Sequence, residues 1–180
     1  MVKILQKEEK ILRKVAKSVP PEKINSPEIK SIIKNMKEAA EKEEDAVAIA
    51  APQIGISMRI FLVLGKTFAK TIKDDDGITH HEELLPDDLV FINPEIIKES
   101  KKKEETEEGC LSVRWLYGKV KRSSKITIRA YDENGNRITR GASGLLSQIF
   151  QHEINHLNGI LFIDKAENIR EIKPETHVKH

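Results

Sequence analysis

Two histidines four residues apart, in the segment Gln151–His156, place the strongest constraint on what this chain can fold into. Residues spaced by four lie one turn apart on the same face of a helix, so the imidazoles of His152 and His156 can both reach one metal ion. Glu153 between them can hydrogen-bond a water on that ion. The segment predicts a helix with the outline of a hydrolytic metal site, although the same spacing also arises by chance on charged helices.

A catalytic site of this kind needs a third protein ligand and an open position for water. Cys110 is the only cysteine of the chain and lies in the segment Glu108–Ser112, 42 residues before His152. One thiolate and two imidazoles suit zinc or ferrous iron better than magnesium or calcium. Because a lone cysteine is more often a small core residue, Cys110 taken alone does not decide between a ligand and a core position.

The apolar pattern around the histidines supports the ligand interpretation. Leu145, Ile149, His152 and His156 follow one another at spacings of four, three and four, which places both histidines on the stripe that faces the core. A buried histidine needs a partner, and one metal ion would satisfy two of them. This helix is predicted to begin between residues 142 and 144 and to end at 158–159, where Asn-Gly is a good stop.

Other patterns predict the remaining elements. Ser26-Pro27-Glu28 supplies an N-cap and a proline at the first helical position, so a helix is expected from Pro27 to about Glu43. Strands are expected at 60–64 and at 90–94, the second stopped by Pro94. Alternating apolar residues on both sides of Asn134-Gly135 indicate a hairpin, because these residues accept the positive φ of a tight turn. Residues 1–25 are expected to form an arm lying over the domain, and residues 98–108 an exposed charged segment.

The chain has 180 residues, which suits one domain spanning 1–180. The acidic stretch 73–88 is predicted to be a solvated loop insertion, and 165–180 a C-terminal tail with one more short helix. The predicted fold class is α+β, with a mixed or antiparallel sheet packed around a central metal-binding helix.

The charge balance argues against a nucleic-acid partner, because 31 Lys and Arg against 29 Asp and Glu leave a net charge of only +2. A single cysteine excludes an internal disulfide. The N-terminal residues are too charged for a signal peptide, and no apolar run approaches the ~18 residues that span a bilayer. We therefore expect a cytoplasmic protein without a membrane partner.

The small apolar segment Ala46–Gly55 allows two interpretations. It is either a tightly packed buried segment or the wall of a substrate groove that ends in the polar side chain of Gln53. Composition by itself favours the structural interpretation.

Three separated segments together resemble the signature motifs of the peptide deformylases; they are Ala50–Gln53, Glu108–Ser112 and Gln151–Leu157. The similarity extends from Lys10–Ala16 to about residue 165 and includes Asn158–Phe162. The resemblance implies a hydrolase that removes the N-formyl group from the N-terminal formylmethionine of newly made polypeptides and releases formate. Formyl-methionyl nascent peptides are its implied partners, and a transient ribosome contact is a further expectation.

The resemblance also implies roles for single residues. Cys110, His152 and His156 would bind one divalent metal, iron(II) in cells and zinc, nickel or cobalt in preparations. Glu153 would be the catalytic acid and base, while Gln53 and the backbone N–H of Leu111 would hold the oxyanion. The candidates for the methionine pocket adjoin these residues in sequence, and ordinary core packing explains them equally well; they are Val47, Ala48, Ile49, Leu111 and Ile149.

The chain departs from the family pattern at several positions. Ala46 and Ala48 stand where deformylases usually have glycine, so either the backbone there is ordinary extended chain or the groove is altered. Asn155 replaces the usual aspartate, for which Arg122 is a candidate partner. Trp115 follows a position where proline is common, and it either rims the groove or covers the sheet. These departures keep open a zinc amidase or peptidase of other specificity, and a non-catalytic peptide-binding homologue.

Overall fold

The computed structural model describes residues 2–68, 71–73, 79–81 and 87–174. Its strands and two α-helices give the α+β class that the sequence predicts, and all strand pairings are antiparallel. The helices are α1 (Pro27–Glu41) and α2 (Gly144–Leu157). The strands are β1 (Ala48–Ala50), β2 (Ile60–Val63), β3 (Thr71–Lys73), β4 (Thr79–His81), β5 (Leu89–Glu99), β6 (Lys103–Gly109), β7 (Leu116–Ser123), β8 (Lys125–Tyr131), β9 (Arg137–Ser143) and β10 (Glu167–Glu171). Short 3-10 helices cover Lys10–Arg13, Pro21–Lys23, Ala51–Ile54, Gly65–Phe68 and Phe162–Asp164.

Helix α1 begins where its N-cap and proline predict. The Ser26 hydroxyl accepts a hydrogen bond from the N–H of Ile29 at 3.3 Å, and Pro27 occupies the first turn, where no N–H is needed. The helix ends at Glu41, two residues before the predicted end. Its apolar face is buried and comprises Ile29, Ile32, Met36, Ala39 and Ala40.

The main sheet has five strands in the order β1-β2-β5-β8-β9. Because side chains alternate along a strand, β2 sends Ile60 and Leu62 into the cluster that contains the α1 residues, and Phe61 and Val63 into the cluster that contains the α2 residues. The second cluster is centred on three aromatic rings, with the Phe61 and Phe91 centroids 4.8 Å apart and Phe150 packed against both. The two helices therefore cover opposite faces of this sheet.

Strand β5 does not stop at Pro94, so that prediction is wrong. The pairing of β5 with β8 shifts register between Ile92 and Glu95, and Asn93 adopts a positive φ of 52°. This irregularity accommodates Pro94, which has no N–H to give to the ladder, and the strand continues to Glu99. The Asn93 side chain also accepts from the N–H of Val19 at 2.8 Å and donates to its carbonyl at 2.7 Å, which ties the N-terminal arm to the sheet.

The predicted hairpin around Asn134-Gly135 is confirmed. Strands β8 and β9 pair along their whole length, and Gly135 has a φ of 82°. The Asp132 carboxylate accepts from the N–H groups of Asn134 and Asn136 at 2.9 and 2.8 Å, which closes the turn.

A second sheet has the order β10-β7-β6. The tail was predicted to add a short helix, but in its described part, 165–174, Glu167–Glu171 forms β10 along the edge of β7 instead. An edge strand has unpaired N–H and C=O groups that can hydrogen-bond to another strand. A short helix, in contrast, forms few hydrogen bonds for the number of residues that it orders. The segment predicted to be exposed and charged forms β6, exposed along most of its length.

Several sequence predictions concern the acidic stretch and the tail. The described part of the predicted 73–88 insertion includes β4, which pairs with β3. Residues 74–78 and 82–86 of the insertion and residues 175–180 of the tail lie outside the described residues.

Among the described helices, none has the length and apolar content needed to cross a membrane.

Candidate active site

Helix α2 carries His152, Glu153 and His156 on the side that faces the interior. His156 and Glu153 are only 1% and 4% exposed, and the two imidazole centroids lie 5.0 Å apart. The helix ends at the predicted stop, with Asn158 as its C-cap and Gly159 at a φ of 73°. Leu145 departs from the predicted core stripe, because its side chain is 57% exposed at the first turn of the helix.

The loop after β6 brings Cys110 to the histidines. The Cys110 Sγ lies 3.2 Å from Nε2 of His156, and one ligand atom from each of Cys110, His152 and His156 lies within 4.8 Å of the others. The sequence predicted these three residues as a group, and the fold brings all three together across a separation of more than forty positions. Only the meeting of β6 with α2 makes this possible.

The residues present fit a divalent metal. One thiolate and two imidazoles are a donor set suited to zinc or ferrous iron. Within the described residues, Oε2 of Glu153 and Nδ1 of His156 are buried without a hydrogen-bond partner. A buried unsatisfied carboxylate oxygen beside three convergent ligand atoms is what a site for a metal and its water requires.

Glu108 is a site residue that the sequence interpretation missed, since it was placed in an exposed segment. It is 4% exposed, and its carboxylate accepts two hydrogen bonds from Arg122, at 2.7 and 2.8 Å, and lies 2.8 Å from Nδ1 of His152. Burial raises the pKa of Glu108, but the hydrogen bonds and charges of Arg122 and His152 outweigh it and bring the pKa to about 2. The sequence did contain one indication that Glu108 belongs to the site, because Glu108 lies only two residues before Cys110.

An ionised Glu108 can only accept hydrogen bonds, so Nδ1 of His152 must donate. This fixes the ring and leaves Nε2 of His152 free to bind a metal. Arg122 is therefore the partner of Glu108 and not of residue 155, which corrects the sequence interpretation. The Nδ2 of Asn155 is buried without a partner in the described part of the chain.

Burial alone lowers the pKa of both histidines, but the net pKa shifts of the two are opposite. It lowers the pKa of His156 well below its ordinary value of 6.5, with the neighbouring His152 charge adding to the effect. For His152 burial again lowers the pKa, but hydrogen bonds with Cys110 and Glu108 outweigh it, and the pKa is raised well above 6.5. In the metal-free protein a proton therefore competes with a metal for His152.

Glu153 has an unusual carboxyl group. Burial raises its pKa from the ordinary value of 4.5 to about 7, although the nearby His152 charge opposes the shift. A carboxyl with a pKa near neutrality can both accept and return a proton at physiological pH. Glu153 is one of the residues that line the cavity described below.

Gln53 is held by the 3-10 helix that follows β1 and is 1% exposed. Its Oε1 accepts from the N–H of Ala50 at 2.8 Å, so the donor end of the amide is turned the other way. Nε2 donates to the Ser112 hydroxyl at 3.1 Å and lies 3.7 Å from the Cys110 sulfur. The amide N–H groups of Gln53 therefore lie beside the candidate metal ligands.

Leu111 follows Cys110 directly and is 8% exposed. Its carbonyl accepts a hydrogen bond at 3.0 Å from the side chain of Gln6, whereas no hydrogen bond from its N–H is formed within the described residues. The adjacent Ser112 N–H points to the Cys110 sulfur at 3.4 Å. The backbone N–H of Leu111 is thus available to a bound molecule.

A cavity of about 330 Å³ adjoins these residues. Of the predicted pocket residues, Val47, Ala48, Leu111 and Ile149 line it, and Glu153, Gln53, Cys110 and His152 form its polar part. Ile49 does not line it, so that prediction is wrong. Alternation along β1 turns Ile49 into the core with α1 and Ala48 to the opposite face.

The cavity also has walls beyond the predicted pocket residues, and they include Trp115, for which the groove rim was one of two predicted positions. Arg114 and Trp115 line it from the loop after Cys110, with the Arg114 guanidinium 4.5 Å from the Trp115 ring centroid, and this places Trp115 at the groove. Leu145 and Gln148 line it from α2. Their spacings of seven and four before His152 were a helical signal for this wall.

The two alanines at the usual glycine positions fit an ordinary backbone. Strand β1 includes Ala48, and neither Ala46 nor Ala48 has a positive φ. Both are buried, and the Ala48 methyl lies against the cavity. The backbone conformation at these two positions does not require glycine.

A thiolate and two imidazoles, next to a buried carboxyl of raised pKa in an apolar cavity, define the class of mononuclear metal-dependent hydrolases. Comparison with known proteins gives the family. The sequence profile described as Polypeptide deformylase matches residues 1–171. The chain therefore belongs to the polypeptide deformylase family.

Individual relatives agree with this assignment. The chain is 43% identical to a peptide deformylase of Halothermothrix orenii, over 78% of this chain and 79% of that protein. It is 39% identical to one of Carboxydothermus hydrogenoformans, over 93% of this chain and 94% of that protein. Among solved structures, the Met-Ala-Ser-bound class I type b peptide deformylase of Acinetobacter baumannii superposes with a TM-score of 0.74 at 29% identity, covering 90% of this chain and 96% of that one.

Proposed function

We propose that this chain hydrolyses the N-formyl group from the N-terminal formylmethionine of newly made polypeptides and releases formate. The observation that carries the proposal is the convergence of Cys110, His152 and His156 next to Glu153, beside a cavity of about 330 Å³. Membership of the deformylase family supports this activity over an amidase or peptidase of other specificity and over a non-catalytic peptide-binding role.

Cys110, His152 and His156 would hold one divalent metal, with iron(II) as the metal in cells and zinc, nickel or cobalt as substitutes in preparations. Such an ion, when bound, supplies a Lewis acid that polarises a carbonyl and lowers the pKa of a water. Glu108 and Arg122 would orient the His152 ring toward it. We place this centre on α2, as the helix around which the site is assembled.

Glu153 would act as the proton carrier. Its Oε2 has no partner among the described residues, so it is free to accept a proton from the attacking water and later to give it to the leaving amine. A pKa of about 7 lets the carboxyl do both at physiological pH. Two other carboxyls that line this cavity, those of Asp45 and Glu108, have lowered pKa values because of their arginine partners.

Gln53 and Leu111 would stabilise the negative charge that develops on the formyl oxygen. The Gln53 amide is held by the Ala50 N–H with its donor end beside Cys110, and the Leu111 N–H has no other acceptor in the described part of the chain. Preorganised donors of this kind are each worth about 3 kcal/mol in the transition state. Gln53 lies in the 3-10 helix after β1 and Leu111 in the loop after β6, and these two segments would let the donors approach the same oxygen from two sides.

The methionine side chain would lie against the apolar part of the cavity. Val47 and Ala48 form one wall, and Ile149 with Leu111 forms another. A thioether side chain fills an apolar cavity without needing a polar partner. We propose Leu145 and Trp115 as further contacts toward the mouth.

The natural substrates would be formyl-methionyl nascent peptides in the cytoplasm, and a transient contact with the ribosome stays a prediction. The decisive assay is formate release from a formyl-Met-Ala-Ser peptide by protein purified anaerobically and loaded with iron(II). We expect release from the formyl peptide and none from the acetylated peptide. Metal-loaded protein that releases no formate would contradict the proposal, and equal cleavage of both peptides would indicate a general amidase.

A further inference from the structure

The dipeptide Leu5-Gln6 of the N-terminal arm contacts both segments that carry the proposed oxyanion donors, the 3-10 helix of Gln53 and the loop of Leu111. The N–H of Leu5 donates to the Gln53 carbonyl at 2.8 Å. The Gln6 side chain donates through Nε2 to the Leu111 carbonyl at 3.0 Å, and its Oε1 accepts from the N–H of Arg114 at 3.3 Å. Two consecutive residues therefore contact both donor-bearing segments.

Other contacts hold the loop between β6 and β7 after Leu111, because Gln53 donates to the Ser112 hydroxyl at 3.1 Å and Arg114 forms ion pairs with Glu43 and Asp45. The loop's own backbone bonds run from the Val113 N–H to the Cys110 carbonyl and from the Leu116 N–H to the Val113 carbonyl, both at 3.0 Å. The first bond holds the peptide unit that joins Cys110 to Leu111, whereas neither bond involves the Leu111 carbonyl. Gln6 supplies the partner of the Leu111 carbonyl from a position 105 residues away.

The Leu111 N–H and the Leu111 carbonyl belong to two peptide planes that meet at the Leu111 Cα, and both planes lie in the turn closed by the hydrogen bond from the Val113 N–H to the Cys110 carbonyl. Loss of the partner of the Leu111 carbonyl would therefore loosen the turn that carries both groups. The arm beneath the loop is itself anchored, because the Leu5 side chain packs in a cluster with Val113 and Cys110. Gln6 is half-buried in this setting, and its amide lies between two backbone groups of the loop.

We propose that Gln6 is a positioning residue for the reaction, holding the Leu111 N–H in line with the Gln53 amide. The inference rests on the proposed function, because it assigns Gln6 an effect on the oxyanion donors and not on the metal ligands. A misplacement of about 1 Å in a catalytic group costs about 100-fold in rate, so a loosened loop lowers kcat before it alters metal binding.

Three variants of the full chain, loaded with iron(II), test this. Gln6→Met keeps the length of the side chain and removes both hydrogen bonds, whereas Gln6→Glu keeps an acceptor for Arg114 and cannot donate to Leu111. Glu8→Gln is the matched control, since it changes an exposed side chain of the same arm. The measurements are kcat and KM for formate release from a formyl-Met-Ala-Ser peptide, metal content per chain and Tm.

We expect Gln6→Met to lower kcat about tenfold, with KM within about twofold and one metal retained per chain. Gln6→Glu should lower kcat at least as much, because a carboxylate would face the Leu111 carbonyl. Glu8→Gln should match the wild type in every quantity. If Gln6→Met does not fold, Gln6→Asn applies the same test with an amide that is one methylene shorter.

The outcomes separate the inference from the function on which it rests. An active wild type with an unchanged kcat in both Gln6 variants, even at a lower Tm, would overturn the inference and give the arm a structural role only. A raised KM with unchanged kcat would overturn it as well, since the loss would then lie in substrate binding. Failure of the metal-loaded wild type to release formate would overturn the proposed function and this inference together.

Discussion

The carboxylate of Glu108 lies 2.8 Å from Nδ1 of His152, in a position where both side chains are largely removed from solvent. Its other contacts are the two hydrogen bonds from Arg122. The pair is buried and charge-assisted, so it fixes the orientation of a ring whose second nitrogen faces the candidate metal site.

Replacing Glu108 with glutamine should weaken metal binding by about 10- to 100-fold, because the amide no longer holds the His152 ring as an anion would and leaves Arg122 without its counter-charge. The measurement is zinc affinity by competition with a chromophoric chelator. Glu105→Gln, at an exposed position on the same strand, is the control. Equal affinities for the Glu108 variant and the wild type would show that the pair does not orient the ligand.

Glu153→Gln should abolish turnover while the metal stays bound. The substitution keeps the shape of the side chain and removes the proton carrier, a loss of about 100- to 10,000-fold in kcat. Formate release and metal content, measured on the same preparation, give the two quantities. Near-normal turnover would mean that another group carries the proton.

The buried Glu153 carboxyl should also make the metal-free protein less stable at higher pH. Its pKa is raised from 4.5 to about 7 in the folded state, so folding takes up a proton. Stability is therefore greatest below the unfolded pKa, falls as the pH rises through the folded pKa, and is lowest above it. By linkage the full difference is of order 3 kcal/mol.

Metal-free Glu153→Gln carries no such charge, so it should be more stable than the metal-free wild type at pH 8, and this advantage should disappear near pH 4. Urea unfolding of both proteins at several pH values measures the difference. If the difference in free energy of unfolding between the two proteins does not change with pH, burial does not raise the pKa of the Glu153 carboxyl.

Ile149→Phe should raise KM for formyl-Met peptides more than for formyl-Ala peptides. Ile149 is 5% exposed and lines the cavity, so a larger ring would take up space that the methionine side chain needs. Comparing two substrates on one variant cancels any loss of folded protein. An equal rise in KM for both peptides would place Ile149 in the core alone.

The pairing of the two histidines proposed as metal ligands was predictable because their spacing is a property of one helix. A helix puts residues four apart on one face whatever surrounds it, so His152 and His156 form a pair before any tertiary contact is known. The N-cap at Ser26 and the turn at Asn134-Gly135 are local in the same sense, and the structure has both.

The errors concern residues whose environment depends on distant segments. Ile49 neighbours Ala48 in sequence, but strand alternation turns it into the opposite core. Glu108 belongs to an acidic, mostly exposed strand and is buried only because α2 lies beside its end. The tail extends along β7 because that edge was free to pair.

The sequence by itself therefore determined the α+β class and the placement of His152, Glu153 and His156 on one helix, since these depend on residue type and on periodicity within one element. The tertiary structure decided that Glu108 orients His152, which face of β1 meets the cavity, and that Gln6 contacts the loop of Leu111. These relationships join positions 44 to 105 residues apart. Burial and long-range hydrogen bonding arise only when such segments pack together, and no local pattern encodes them.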